Sequence, residues 1–241
     1  MKERIKSSFE QNKLYTNKQC ENNKKIVNKV IENWIEESEL TEVLSKPFFV
    51  NLKKLNELVS KKYFEDENKE IKTKIKDEVE FLESEILRYG FGLIEKNNKE
   101  INMSEKYYLW ATFRDDGMVI TVGKTNMKNG DLLKYEDIYS AGTGNTRIIL
   151  QQLLTPRDRE LFDSINKKLY SYSEMAIIVG IKSEPSPKKT FFVYDGSKSN
   201  DVKEIRYNNT LNRFVLNLES CLGDYLLSQG INILNDGSHR K

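Results

Sequence analysis

The sequence predicts an α+β protein, in which an N-terminal all-helical domain (residues 1–100) precedes a small β-β-α-β-α domain with an inserted strand (residues 101–241). Up to about Tyr89, apolar residues recur at spacings of three and four, which is typical of amphipathic helices. After about Glu100 the pattern changes to short aromatic and β-branched runs, which indicate strands. A last segment, from Leu211, returns to helical spacing.

The N-terminal region contains three helical patterns. The first is "NNKKIVNKVIENWIEE", whose apolar residues fall on one face: Ile26, Val30, Ile31, Trp34 and Ile35. Pro47 is predicted to open the second, with an apolar face of Leu52, Leu55, Val59 and Tyr63. The third is "NKEIKTKIKDEVEFLESEILRYG", with a stripe of Ile71, Ile75, Val79, Leu82 and Ile86, and Gly90 is predicted to cap it. The helices would serve targeting or assembly.

In the C-terminal region, segments with a strand-like pattern alternate with segments of helical spacing. Two strand-like runs, "KYYLWATF" and "GMVITVGKT", are joined by the turn sequence "RDDG". A polar loop and the helical runs "RIILQQLL" and "RDRELFDSINKKLY" follow. The strand "EMAIIVGIK", the inserted strand "TFFVYDG" and the helix "LNRFVLNLESCLGDYLLSQG" complete the predicted order.

Composition excludes several classes of site. Lys and Arg number 39 and Asp and Glu 37, so net charge indicates no polyanionic partner. The two cysteines lie far apart and the single histidine is His239, which excludes a cysteine-ligated zinc and argues against a histidine-based triad. Neither a membrane-spanning run nor an apolar signal segment is visible, so we expect a cytoplasmic protein without a membrane partner.

The stretch "DDGMVITVGKT" ends in the Gly-Lys-Thr that closes a phosphate-binding P-loop. That motif needs a glycine five residues before Gly123, where this chain has Met118, and Gly117 lies one residue too early. The residues between are β-branched and apolar. The stretch is therefore predicted to be a strand and not an ATP site.

The hairpin resembles the paired-strand signature of the GIY-YIG nuclease family. "YLW", ten residues and then "TVGKT" match two motifs that lie about ten residues apart on adjacent strands in that family. Trp110 stands where the first motif has tyrosine, and Thr121 stands where the second has it. Tyr108 replaces the first motif's glycine, and Gly123 matches the second motif's glycine.

Three further residues extend the resemblance. Arg147 matches the family's arginine on the helix after the second strand, and Glu219 matches the glutamate on a later helix. Asn232, or less closely Asn235, matches the asparagine that follows. The resemblance implies a DNA endonuclease that depends on Mg²⁺ or Mn²⁺, with Glu219 as metal ligand and Arg147 bound to the scissile phosphate. Trp110, Thr121 and Asn232 would contact the substrate.

The general base is not assigned, and Tyr108 and Lys124 are further candidate catalytic residues. Neither Trp110 nor Thr121 has the acidity of a tyrosine hydroxyl. Tyr108 projects from the same strand face as Trp110 but about 7 Å further along. Lys124 would serve as a base only if burial lowered its pKa strongly.

The sequence is therefore also compatible with a second function. It is a catalytically degenerate module on the same scaffold that binds nucleic acid or a protein. Taken singly, Glu219 also fits a solvated helix face and Arg147 a helix-bracing role. The N-terminal helices would bind DNA, a second copy of the chain or another protein.

Overall fold

The computed structural model describes residues 17–55, 57–58, 69–88, 107–113, 119–126, 175–194, 202–208, 210–231 and 233. These residues form a mixture of helices and strands, which confirms the predicted α+β class. The helices are α1 (Asn17–Glu37), α2 (Lys69–Arg88) and α3 (Leu211–Ser228). The strands are β1 (Phe48–Asn51), β2 (Tyr107–Phe113), β3 (Val119–Asn126), β4 (Met175–Gly180), β5 (Thr190–Tyr194) and β6 (Val202–Arg206).

Four strands form one antiparallel sheet in the order β1-β4-β2-β3. The predicted hairpin is confirmed, since β2 pairs with β3 from Tyr107 opposite Asn126 to Phe113 opposite Val119. Every residue of β2 is buried, because this strand has a neighbour on each side and packed side chains on both faces. A nearly continuous apolar run such as "YYLWATF" suits that position.

The helix predicted to begin at Pro47 is wrong in its first turn. Phe48–Asn51 forms β1, which pairs with β4 and covers backbone groups that would otherwise lie at an open edge. Among the described residues that follow, 53–55 and 57–58 are helical. The N-terminal region is therefore not all helical. The domain boundary predicted near residue 100 lies outside the described residues, but described segments from both sides of it share this sheet.

A second, two-stranded sheet is formed by β5 and β6. The sequence predicts one inserted strand, which corresponds to β5. Its partner β6, "VKEIR", was missed because only Ile205 turns inward among its otherwise exposed residues. The hairpin packs on α3, where the Phe191 and Phe214 rings lie 5.2 Å apart.

The helices cover opposite faces of the large sheet. The residues of α1 and α3 share one core with one face of β2, whereas α2 packs against the other face. The predicted stripes are largely confirmed, since most described members are buried: Ile31, Trp34 and Ile35 of α1, and Ile71, Ile75 and Leu82 of α2. Val30 is partly buried, and Ile26 is 46% exposed.

Trp34 links α1 to the small hairpin. Its side chain is fully buried, and its Nε1 donates a hydrogen bond of 2.9 Å to the Tyr194 carbonyl oxygen. Replacing Trp34 with phenylalanine removes the donor and leaves a carbonyl group without its partner. We expect a loss of about 2 kcal/mol in the free energy of unfolding, measured by urea denaturation.

Trp110 provides a matched control, since its Nε1 is buried and has no hydrogen-bond partner among the residues that the structure describes. The change Trp110→Phe removes similar ring area without breaking such a bond, so it should cost less. A larger loss in Trp110→Phe than in Trp34→Phe would contradict the assigned role of the Trp34 bond.

Candidate functional site

The β2–β3 hairpin has two faces with different surroundings. Side chains alternate along a strand, so Tyr107, Leu109 and Ala111 lie on one face and contact the core formed with α1 and α3. Tyr108 and Trp110 lie on the other face, in the cluster that includes α2. The candidate residues on this hairpin are therefore divided between two environments.

Lys124 belongs to the face that meets α3. It is directly opposite Leu109 in the β2–β3 pairing, and directly opposite residues project on the same side. Its Nζ donates a partly buried hydrogen bond of 2.9 Å to Oδ1 of Asn212, in the first turn of α3. Sequence reasoning missed Asn212. The only signal was its spacing of seven residues from Glu219, which places both on one side of a helix.

Glu219 lies on the same helix and is partly buried. Burial raises the pKa of its carboxyl from an ordinary 4.5 to about 7, and the positive charge of Lys124 acts in the opposite direction. Desolvation disfavours the charged carboxylate, and a nearby cation favours it. The carboxyl consequently changes its protonation state close to neutral pH, which makes it suited to proton transfer.

Tyr108 and Trp110 are enclosed on the opposite face. They are only 1% and 4% exposed, and they pack with residues of α2 and β4. The structure therefore does not bring them together with Lys124 and Glu219, as a single catalytic cleft would require. The reason is the strand period of two, which turns residues 108 and 110 away from the face that Leu109 and Lys124 share.

The glycine of the Gly-Lys-Thr sequence, Gly123, is required by its packing against Trp110. It pairs directly with Trp110, and the six-membered part of the indole lies over it. A Cβ atom at this position would come within 2.4 to 2.9 Å of three ring atoms. The glycine therefore makes room for tryptophan in the middle of β3, which confirms that this stretch is a strand and not a phosphate-binding loop.

The remaining predicted residues are only partly described. The Thr121 backbone pairs with Thr112 in the hairpin, and its side chain lies outside the description. Arg147 and Asn232 fall outside the described residues. Ile233, next to Asn232, forms a parallel bridge with Val119, so the chain after α3 returns to the start of β3.

The chain was compared with known protein families, proteins and structures. No protein-family model, no curated protein and no solved structure matches the chain. Among the helices that the structure describes, none is both long and apolar enough to cross a membrane. Function is therefore inferred from the arrangement of Lys124, Asn212 and Glu219.

Proposed function

We propose that this protein is a metal-dependent endonuclease that hydrolyses phosphodiester bonds in DNA, with Glu219 and Lys124 in its active site. The observation that carries the proposal is that α3 packs on the β2–β3 hairpin and carries both the partly buried Glu219 carboxyl and Asn212, which accepts the hydrogen bond from Lys124. The resemblance of the hairpin sequence and of Glu219 to the GIY-YIG signature also supports the proposal.

Lys124 supplies the positive charge that an anionic substrate needs. A phosphodiester gains negative charge on its phosphoryl oxygens as water attacks, and a fixed ammonium group stabilises that charge. Lys124 donates its hydrogen bond to an amide oxygen, which accepts only, so it acts here as a donor. We therefore assign it to phosphate binding and not to the role of base.

Glu219 is the residue that would hold the metal ion. The described residues contain no group of three or more histidine, cysteine, aspartate or glutamate side chains that could bind one. One carboxylate is nevertheless compatible with Mg²⁺ or Mn²⁺, because Mg²⁺ retains several waters and takes other oxygen ligands from substrate phosphate. When bound, the ion would polarise the phosphoryl group as a Lewis acid.

The raised pKa of Glu219 has a consequence for this role. A carboxyl must lose its proton to bind a cation, so below about pH 7 metal binding competes with protonation. Activity is therefore expected to rise with pH through this range. Arg147 keeps its predicted role at the scissile phosphate, and the general base is not among Tyr108 and Trp110, which lie on the other face.

A non-catalytic nucleic-acid-binding module is the second candidate. The observation that favours it is the burial of Tyr108 and Trp110 against α2, which removes the hairpin aromatic residues from the Glu219 side. In this case Lys124 would bind phosphate without hydrolysis. The presence or absence of metal-dependent cleavage separates the two candidates.

The test is nicking of supercoiled plasmid DNA with Mg²⁺, with Mn²⁺ and with EDTA. The change Glu219→Gln keeps the shape of the side chain and removes its charge, so we expect the rate to fall by about 100-fold or more. Glu80→Gln removes the same charge from α2 on the far side of the sheet, where the side chain is 62% exposed, and should leave the rate unchanged.

Three results would change the assignment. Inactivity of the wild type together with metal-independent DNA binding would favour the second candidate. Equal nicking by wild type and Glu219→Gln would place the active site elsewhere. If Glu80→Gln lowered the nicking rate as much as Glu219→Gln, the effect would be due to net charge and not to Glu219.

A further inference from the structure

The chain enters the small β5–β6 hairpin through a strained turn. The turn runs from Ser186 to Lys189, whose N–H donates a hydrogen bond of 3.0 Å to the Ser186 carbonyl oxygen. Pro187 takes its second position, and Lys188 takes its third with a φ of 63°. These features define a type II turn, whose third position favours glycine or asparagine because a positive φ crowds the Cβ atom of other residues.

Lys188 also occupies the first position of a β-bulge. Lys188 and Lys189 lie together opposite Tyr207: the Lys188 N–H donates to the Tyr207 carbonyl oxygen at 3.0 Å, and the Tyr207 N–H donates to the Lys189 carbonyl oxygen at 2.8 Å. In a bulge with this bonding the first residue is normally glycine. Lysine is therefore retained here against backbone strain, and because Lys188 is exposed, core packing does not account for it. The strain indicates a role for its side chain.

Lys188 belongs to a group of three exposed cationic side chains on this part of the surface. The other two are Lys203 and Arg206 of β6. Within the described part of the chain, no hydrogen bond or ion pair engages the side chain of any of the three. Glu204 is the one acidic residue of β6, so the cations outnumber it. The group is suited to binding an anion.

An exposed aromatic ring lies on the outer face of the same hairpin. Strand alternation turns Phe191 and Val193 into the core and leaves Phe192 63% exposed. Arg206 projects from the same outer face, because it pairs with Thr190, which is two residues before Phe192 on β5. The guanidinium and the ring are therefore diagonal neighbours. This face combines an accessible ring with an unneutralised positive charge.

We propose that the outer face of the β5–β6 hairpin, with Lys188, Phe192 and Arg206, binds single-stranded DNA. Bases stack on exposed aromatic rings whatever their sequence, and cationic side chains beside the ring bind the phosphates. A duplex hides the faces of its bases, so a single strand fits Phe192 better. A second copy of the chain fits less well, because it would bring unneutralised cations together. As a surface for the nuclease substrate the inference rests on the proposed function, whereas DNA binding by this face does not.

The experiment is fluorescence anisotropy of a labelled thymidine oligonucleotide of about 16 nucleotides, titrated with the full chain in EDTA so that binding alone is read. Phe192→Ala should weaken binding about tenfold and leave its salt dependence unchanged, because it removes stacking and no charge. Lys188→Gln and Arg206→Gln should each weaken binding about fivefold at about 0.1 M salt. Each should also reduce the slope of log affinity against log salt by about 0.7.

Lys188→Gly separates loss of charge from loss of fold. Glycine accepts a φ of 63° without strain, which should offset its greater freedom in the unfolded chain, so the urea midpoint should not fall. Affinity should fall as in Lys188→Gln. Glu39→Gly makes the same backbone change at another non-glycine residue with positive φ, 52°, and should not weaken binding. Lys76→Gln removes a positive charge from α2, where the side chain is 76% exposed, and should leave affinity nearly unchanged.

Three results would overturn the inference. The first is a wild type that does not bind the oligonucleotide. The second is a Phe192→Ala variant that binds like the wild type, and the third is a loss in Lys76→Gln as large as that in Lys188→Gln. Self-association in sedimentation that is abolished by Phe192→Ala, without DNA binding, would assign the face to a second copy of the chain.

Nicking assays on the same variants separate this inference from the proposed function. If the hairpin variants weaken binding as expected and the wild type does not nick plasmid, the face binds DNA but the nuclease proposal fails. If nicking depends on Glu219 and the hairpin variants bind the oligonucleotide like the wild type, the nuclease proposal stands and the binding face fails.

Discussion

Replacing Gly123 with alanine is expected to lower the free energy of unfolding by about 3 kcal/mol, the upper part of the range for overpacked cores. The added methyl group would meet three atoms of the Trp110 indole at 2.4 to 2.9 Å. The ring has little room to move away, because Trp110 is 4% exposed and packs in the cluster with α2. Urea denaturation of both proteins measures the difference.

The Trp110→Leu background shows whether the indole causes this loss. Leucine does not extend over residue 123 as the indole does, so Gly123→Ala should cost clearly less there than in the wild type. Gly230→Ala is a second control, since a Cβ there meets no atom within 4 Å and only its positive φ of 77° is strained. An equal cost of Gly123→Ala in both backgrounds would contradict the steric explanation.

Replacing Glu219 with glutamine is expected to stabilise the protein above neutral pH. The folded protein holds the pKa of this carboxyl at about 7, above the ordinary 4.5 that applies to the unfolded chain. Between these values the folded state binds more protons than the unfolded state, so Glu219 makes stability fall as pH rises from about 4.5 to about 7. Above that range its contribution is constant.

Glutamine resembles the neutral carboxyl and does not ionise. The stability advantage of Glu219→Gln over the wild type should therefore grow by about 2 to 3 kcal/mol between pH 5 and pH 8, because one pKa unit corresponds to about 1.4 kcal/mol. Denaturant unfolding at both pH values measures it, and the difference between the two proteins cancels the other titrating groups. Glu80→Gln is the control for removing a charge at an exposed position, where a substitution usually changes stability by less than about 0.5 kcal/mol.

Two parallel stability profiles for wild type and Glu219→Gln would show that the carboxyl titrates alike in the folded and unfolded states. That result would remove the physical basis for metal–proton competition at Glu219. It would leave the geometry of Lys124 and Asn212 unaffected.

Much of the fold was readable from the sequence because it depends on local pattern. Helical spacing predicted α1, α2 and α3, and short aromatic and β-branched runs predicted β2, β3 and β4. The pairing of β2 with β3 followed from the short connection between two strand-like runs. The helical runs predicted at 147–170 lie outside the described residues and stay a prediction.

Elements whose structure depends on distant partners were predicted poorly. The segment Phe48–Asn51 becomes a strand because it completes the edge of β4, about 125 residues away in the chain. The polar strand β6 forms because β5 offers it a partner and Ile205 reaches the core. Neither event leaves a clear periodic pattern in the residues themselves.

The candidate site, too, combines features that depend on local sequence with features that depend on long-range packing. The sequence by itself determined that Glu219 lies on an amphipathic helix and that Tyr108 and Trp110 share one strand face, because both depend on local backbone geometry. Only the tertiary structure decided which helix covers each face of the hairpin. It placed α3, with Asn212 and Glu219, on the face of Lys124, and α2 on the face of the two aromatic residues. The period of a strand separates its faces, but long-range packing chooses what each face meets.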